Sequence, residues 1–219
     1  MPRDRVLDIG MTNEQTIENF LDKLASKAST PGGGSVAALM GAMGASLVSM
    51  VGNLTAGKEK YAAVEPEMVS MLERAESLRE ELTKAAQEDI RVFDAVMAAY
   101  GLPKHSDEDK ANRSATLQRA LKNATDAPLE CARLCGEVIA LSRVAATKGN
   151  SNVVSDAGVA ALAAYAALRS AALNVYINVR SIKDTEFVND RMASLAALLE
   201  DNLAATEEVY EKVKTELGG

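Results

Sequence analysis

One carboxylate in this sequence stands where the pattern calls for an apolar side chain. Met71, Ala75, Leu78, Leu82, Ala85, Val92 and Val96 recur at helical spacing and share a face, and Asp89 falls on that face between Ala85 and Val92. A carboxylate among core positions is costly unless it is paired or hydrogen-bonded. Two readings follow: a carboxylate in a cleft, where burial tunes it for proton transfer, or a structural charge facing a cap, a lysine or a wet seam. Asp94 lies off the stripe and reads as a surface charge. A second helical face carries Asp156, Ala160, Ala163, Ala167, Ala171, Asn174 and Asn178. Asn is a poor interior helix residue because its side chain competes for backbone bonds. Two of them one turn apart mark a polar seam, either a hydrogen-bond network between helices or a ligand site. Asn150, in a donor-rich loop from Lys148 to Asn152, stands just before that helix.

Pro31, Gly32, Gly33, Gly34 and Ser35 form the sharpest break in the chain. Consecutive glycines suit a tight bend or a close approach, and Ser35 is a good N-cap. The run therefore sits ahead of a helix N-terminus, which favours an anion; a tight loop without a ligand is the alternative. It is not a nucleotide phosphate loop, because no Gly-Lys-Ser/Thr follows and no strand precedes it. Lys58, Lys60 and Tyr61 suit an anionic or aromatic ligand, although a solvated turn has the same composition. Cys131 and Cys135 lie one helical turn apart, and the single histidine, His105, is distant. A zinc site therefore lacks ligands, and the thiols read as small buried hydrophobes in a reducing cytoplasm.

The elements that must position these groups are helical throughout. Thr12, Asn13, Glu14 and Gln15 have capping-box form, and Ile17, Phe20, Leu21 and Leu24 follow as a first amphipathic helix. From 36 to 54 there is no charge, and Ala37, Ala38, Gly41, Gly44 and Ala45 suit close helix packing. The segment is long enough to span a bilayer but poor in large aliphatic residues, so it reads as a buried core helix. Pro66 opens a long helix to Tyr100, and Ser106 with Asp107, Glu108 and Asp109 starts another. Asp126, Ala127 and Pro128 repeat that punctuation before a separate cysteine-bearing helix ending near Gly149. Ser155 and Asp156 cap an Ala-rich helix to about Ile182. Asp184 and Thr185 open the last, whose stripe runs from Val188 through Leu195 and Leu203 to Leu217. The expectation is an all-α, antiparallel bundle of about seven helices in one domain over 1–219, with small-residue faces that pair bundles into an oligomer.

Composition closes off other classes. A net charge of −7 argues against nucleic acid, which calls for a basic face. With no Trp and three Phe there are few stacking platforms for single strands. The first ten residues are charged and lack an apolar run, so no secretory signal is expected, and with 36–54 read as a core helix no membrane partner is expected.

Several motifs in order resemble the cyclodeaminase/cyclohydrolase family of folate enzymes. They are Phe20-Leu-Asp-Lys-Leu-Ala-Ser26, the Pro31 to Ser35 run, Gly57-Lys-Glu-Lys-Tyr61, Phe93-Asp-Ala-Val-Met97, Gly101-Leu-Pro-Lys104, Ser155-Asp-Ala-Gly158, and the stretch from Ala171 to Asn178. The resemblance covers nearly the whole chain and is nearest to the cyclohydrolase branch. It implies an all-helical cytoplasmic homodimer with folate in a groove, no metal and no cofactor. The implied reaction is reversible hydrolysis of 5,10-methenyltetrahydrofolate to 10-formyltetrahydrofolate. Formiminotetrahydrofolate cyclodeamination, or folate binding without turnover, are the alternatives. Carried onto that chemistry, Asp89, Asp156 and Lys58 become candidate catalytic groups. Gly32, Gly33, Gly34, Ser35, Lys60, Tyr61, Phe93, Lys104, Asn150, Asn174 and Asn178 become candidate substrate-binding residues. The amides suit the pterin, and the lysines or the glycine-bounded helix start suit the anionic glutamate tail.

Overall fold

The computed structural model describes residues 16–219, so the capping box at 12–15 lies outside the described residues. Six α-helices carry the chain: α1 (Ile17–Leu24), α2 (Gly33–Asn53), α3 (Glu65–Tyr100), α4 (Asp107–Lys148), α5 (Val154–Val179) and α6 (Thr185–Glu216). No strand occurs among the described residues. Short 3-10 turns at Glu59–Val64 and Ser151–Val153 join α2 to α3 and α4 to α5.

Helices α2 to α5 form an up-down-up-down bundle in which α2 and α4 are diagonal and each packs chiefly on α3 and α5. The antiparallel sense is visible along α2, where Gly34 faces Asp89 while Gly52 faces Met71 and Leu72. Helix α6 lies against α4 and α5, and α1 and α2 border a common cleft lined by Phe20, Leu24, Leu39 and Met43.

The small residues of α2 do what their spacing implies. Ala37, Ala38, Gly41, Gly44 and Ala45 are all buried. A Cβ on Gly41 would stand 2.8 Å from the Cys135 sulfur, and one on Gly44 would stand 3.0 Å from the Ala160 carbonyl. Backbones therefore approach closely at the bundle centre, and larger side chains such as Leu78, Leu82, Ile139, Leu168 and Leu195 fill the layers around them. Helices α2 and α5 are long and apolar enough to cross a membrane by length and composition, yet half or more of each apolar segment is buried inside this bundle. Cys131 and Cys135 are buried free thiols.

Three local expectations are corrected. The helix start after the glycine run is at Gly33, with Gly32 as N-cap, so Ser35 lies inside the first turn and its hydroxyl is used elsewhere. Helix α5 likewise begins at Val154, and Asn150, rather than Ser155, caps the turn before it. Most consequentially, Pro128 does not separate two helices: α4 runs unbroken for 42 residues with the proline inside it. An interior proline removes the N–H that would bond the carbonyl four residues back, here that of Ala124. Asn178 on α5 replaces the missing donor, its Nδ2 donating to the Ala124 oxygen at 2.5 Å. A tertiary contact thus carries the helix past a residue that locally ends one.

This pairing predicts non-additive stability. Asn178→Ala leaves a buried carbonyl without a donor and should cost about 1–3 kcal/mol. In a Pro128→Ala background the restored backbone N–H should remove most of that cost. Urea unfolding of the four proteins in the cycle measures it; the same loss in both backgrounds would show that Asn178 acts elsewhere.

Candidate functional site

None of Gly32, Gly33 and Gly34 has a positive φ, so left-handed backbone is not the reason for the run. The need for glycine falls at Gly34, where a Cβ would overlap the Asp89 carboxylate. Gly33, by contrast, has nothing within 4 Å of a Cβ position. The anion at this helix N-terminus is thus the chain's own Asp89. The Ser35 hydroxyl donates to Asp89 Oδ2 at 2.9 Å, with the Ala86 carbonyl as a second acceptor at 3.2 Å. The Ser35 backbone N–H also favours the carboxylate, but burial outweighs both and pushes the Asp89 acid above the ordinary carboxylate range. The apolar wall responsible includes Ala38, Ala85, Pro128 and Ala171. No cation pairs with Asp89 among the described residues. The folded chain therefore holds this proton more tightly than the unfolded chain. Stability from it is present at low pH and is lost as pH rises through the raised value.

Asp89 forms the inner end of a cleft of ≈ 630 Å³, within the size range of small-molecule sites. One wall is the α3 face that continues from Asp89 through Phe93 and Met97 to Tyr100, and the opposite wall is α5, with Asn174, Ile177 and Asn178. Leu121 and Ala124 of α4 form the floor, and Arg180 stands at the rim. Asn174 Nδ2 donates to the Ser170 carbonyl at 3.0 Å, and Asn178 Nδ2 is committed to Ala124. Each amide spends one of its two N–H groups there and keeps the second, with its carbonyl oxygen, for a ligand. Phe93, Met97 and Tyr100 are each more than a third exposed although large and apolar. The result is an apolar slot with two side-chain amides and one carboxylic acid.

Of the residues singled out in the sequence, this cleft gathers Asp89, Phe93, Asn174 and Asn178; Gly34 and the buried Ser35 touch Asp89 without lining the cleft, Gly32 and Gly33 precede them, and Lys104 lies in the exposed connection beyond Tyr100. Lys58, Lys60, Tyr61, Asn150 and Asp156 lie at the other end of α2, roughly 30 Å away at 1.5 Å per residue. There the Tyr61 hydroxyl donates to Asn150 Oδ1 at 3.2 Å and accepts from the Ser151 N–H at 3.2 Å. Hydrogen bonding by Ser151, with a smaller contribution from Lys60, lowers the phenol below its usual range. Asn150 is buried, its Nδ2 on the Leu54 carbonyl and its N–H on Thr55 Oγ1, so it clamps the end of α2 to the start of α5. Lys58 and Lys60 are exposed, and Asp156 is partly buried in the first turn of α5. Sequence reasoning missed Met97, Tyr100 and Arg180 as cleft residues. The signal was available for two of them, since 89, 93, 97 and 100 follow one helical face.

Residues 16–197 match the family model described as formiminotransferase-cyclodeaminase. The chain is 56% identical over 94% of its length to the methenyltetrahydrofolate cyclohydrolase of Methylorubrum extorquens, which it covers completely. It is 34% identical to the formimidoyltransferase-cyclodeaminase of Sus scrofa over 87% of this chain and 37% of that protein. The crystal structure of formiminotetrahydrofolate cyclodeaminase from Thermotoga maritima superposes with a TM-score of 0.80 at 34% identity, covering 94% of this chain and 98% of that one.

The contrast between adjacent glycines gives a sharp test. Gly34→Ala should expel the Asp89 carboxylate from its seat and return its titration, followed by carboxyl carbon NMR, toward the ordinary range. Helical content should hold, because Ala is the better helix former. Gly33→Ala should leave the Asp89 titration where it is. Identical curves for the two variants would refute the role assigned to Gly34.

Proposed function

The chain belongs to the formiminotransferase-cyclodeaminase family, and we infer from that membership that it catalyses reversible hydrolysis of 5,10-methenyltetrahydrofolate to 10-formyltetrahydrofolate. The observation that carries this reading is the match, at 56% identity along all of the relative, to a methenyltetrahydrofolate cyclohydrolase. The substrate carries a cationic bridge carbon between N5 and N10. Water attacks that carbon while Asp89 takes one of its protons, giving a neutral carbinol. The bond from the carbon to N5 then breaks as Asp89 returns its proton to N5 and the carbinol hydroxyl releases its own to solvent. The formyl group stays on N10, and one proton is released overall. No electrons change hands, so water is the only co-substrate that this scheme requires. Asn174 and Asn178 each offer an amide oxygen and a remaining N–H to the alternating donors and acceptors of the pterin, and Phe93 supplies an apolar surface for the ring. Two buried free thiols are consistent with a reducing cytoplasm.

A second substrate has its own support in the likeness to the Thermotoga cyclodeaminase. Formiminotetrahydrofolate would close to the same methenyl ring with loss of ammonia, and ammonia release from it measures that activity directly.

For the main reaction, methenyl absorbance should disappear on adding the protein. Asp89→Asn, which keeps size and removes the charge and the proton, should lower kcat by about 10²–10⁴-fold while folate still binds. A kcat within a few-fold of wild type would remove Asp89 from the mechanism.

We further propose a homodimer, on grounds that differ from the small-residue faces, which are buried within one chain. Met43 on α2 and Val159, Leu162 and Leu173 on α5 are large, apolar and 44–67% exposed on two neighbouring helices. A second copy is also what would bring a Lys58 to an Asp89, since one chain holds them at opposite ends. Light scattering should give twice the chain mass. If the site is shared, Lys58→Gln subunits and Asp89→Asn subunits, each inactive alone, should recover about a quarter of wild-type activity when mixed and reassociated, because a random two-fold assembly restores one intact site in each mixed dimer. No recovery would mean that Lys58 and Asp89 do not meet across the interface.

A further inference from the structure

Pro128 meets the cleft at two points, and each of its peculiarities accounts for one. Its ring is buried in the apolar wall behind Asp89, beside Ala38, Ala85 and Ala171. Its missing N–H leaves the Ala124 carbonyl, in the cleft floor, without the donor that a helix would supply. Asn178 Nδ2 takes up that oxygen at 2.5 Å. Asn174, one turn earlier on α5, donates at 3.0 Å to the Ser170 carbonyl, which lies in an uninterrupted helix and also serves the helical ladder. One amide therefore shares its acceptor, while the other binds an acceptor left free by Pro128. A proline is the costliest residue for a helix interior, so a fold that needed only a helix here would be better served by alanine. What the proline adds is the anchor for Asn178. An unanchored carboxamide can turn half-way about its last bond and exchange its donor with its acceptor. Held through Nδ2, Asn178 keeps its oxygen and its second N–H in fixed positions on the cleft wall.

We propose that Pro128 is a positioning residue for substrate recognition: by leaving the Ala124 carbonyl bare it fixes the Asn178 amide in one orientation, so that the cleft accepts a heterocyclic N–H at the Asn178 oxygen and disfavours a ring that presents an acceptor there. The identity of that ring rests on the folate reading of the cleft. Donors and acceptors alternate along a pterin edge, so a half-turn of the amide would misread it. An amide already fixed in place also loses little further freedom when the ligand arrives. The reacting carbon belongs at Asp89, and Asn178 acts on a part of the ligand that does not change in the reaction. Its contribution therefore falls on KM and spares kcat. Alanine or valine at 128 would return a backbone N–H to the Ala124 oxygen, and Asn178 would become one of two donors, as Asn174 already is.

The test reads KM for 5,10-methenyltetrahydrofolate across the wild type, Pro128→Ala, Asn178→Ala and the double variant. Pro128→Ala should raise KM about five- to tenfold, the worth of one well-placed hydrogen bond, with kcat within a few-fold and the urea midpoint unchanged or higher. Asn178→Ala should raise KM at least as much, and adding Pro128→Ala to it should change KM no further. Pro128→Val restores the N–H but keeps bulk behind Asp89, and it should match Pro128→Ala. An effect confined to alanine would place the role in the ring and overturn the proposal. So would an unchanged KM, a KM rise that persists without Asn178, or a rise matched by an equal loss of stability. In the ligand-free protein the Asn178 side-chain N–H should exchange slowly by NMR, and faster in Pro128→Ala; equal exchange in the two would refute the anchor. If the wild type leaves methenyl absorbance unchanged, the hydrolase reading falls. Calorimetric Kd values for tetrahydrofolate across the four proteins then decide the inference, and no difference between wild type and Pro128→Ala, or no binding at all, would overturn it.

Discussion

The hydrogen bond from Ser35 to Asp89 is the contact on which the rest of the structure depends. A carboxylate set against an apolar wall needs compensation, and here it comes from the first turn of one helix meeting the middle of another. The meeting works only if three things coincide. Residue 34 must lack a Cβ, α2 must enter the bundle at a fixed depth, and α3 must present Asp89 at that level. The depth is set by close contacts of Gly41 with the Cys135 and Leu82 side chains and of Gly44 with the Ala160 carbonyl, which larger residues would push apart. The close-packed centre and the chemical group are therefore parts of one constraint, and a change in helix spacing would be felt at the carboxylate.

Much of this was legible in the sequence because it was written in periodicity. The interrupted stripe on α3 singled out Asp89, and the charge-free, small-residue pattern of α2 announced a central helix. What was illegible required a partner from elsewhere in the chain. Pro128 carries a strong local stop signal, and nothing near it reveals that Asn178, fifty residues later, supplies the missing hydrogen bond. Ser35 is an equally good N-cap by type, but Asp89 competes for its hydroxyl and Gly32 takes the cap position. The glycine run suggested an approaching ligand, whereas the approaching atoms belong to the protein. Only the third dimension could divide the remaining polar residues between the two ends of α2.

The asparagines show how identical side chains acquire different work. Asn150 has every polar group engaged by the chain itself and acts as a clamp. Asn178 has committed one N–H to a carbonyl that a proline left bare, and Asn174 has committed one to its own helix. The latter two each keep an oxygen and a second N–H free in the cleft. A polar seam of this kind resolves into structure and recognition by counting which hydrogen-bonding groups remain, not by residue type.

The proposed substrate is cationic at its methenyl ring, and in that reading the acid at the inner end of the cleft is the group placed to receive the cation. Burial raises the pKa of Asp89 and so favours its protonated form, which cannot act as a base. A cation placed beside it works in the opposite direction, favouring the charged carboxylate. In the proposed reaction, substrate binding would convert Asp89 into the base that the attack on the bridge carbon needs. Once water has added, the carbinol is neutral and that help is gone. The apolar wall again disfavours the charged form, and Asp89 becomes a proton holder that can deliver to N5 as the ring opens. The positive charge lost from the substrate during hydrolysis is what moves the carboxylate from one role to the other. Within one chain Asp89 has Ser35 and no cation among the described residues, so its charge state is left to follow that of the bound ring.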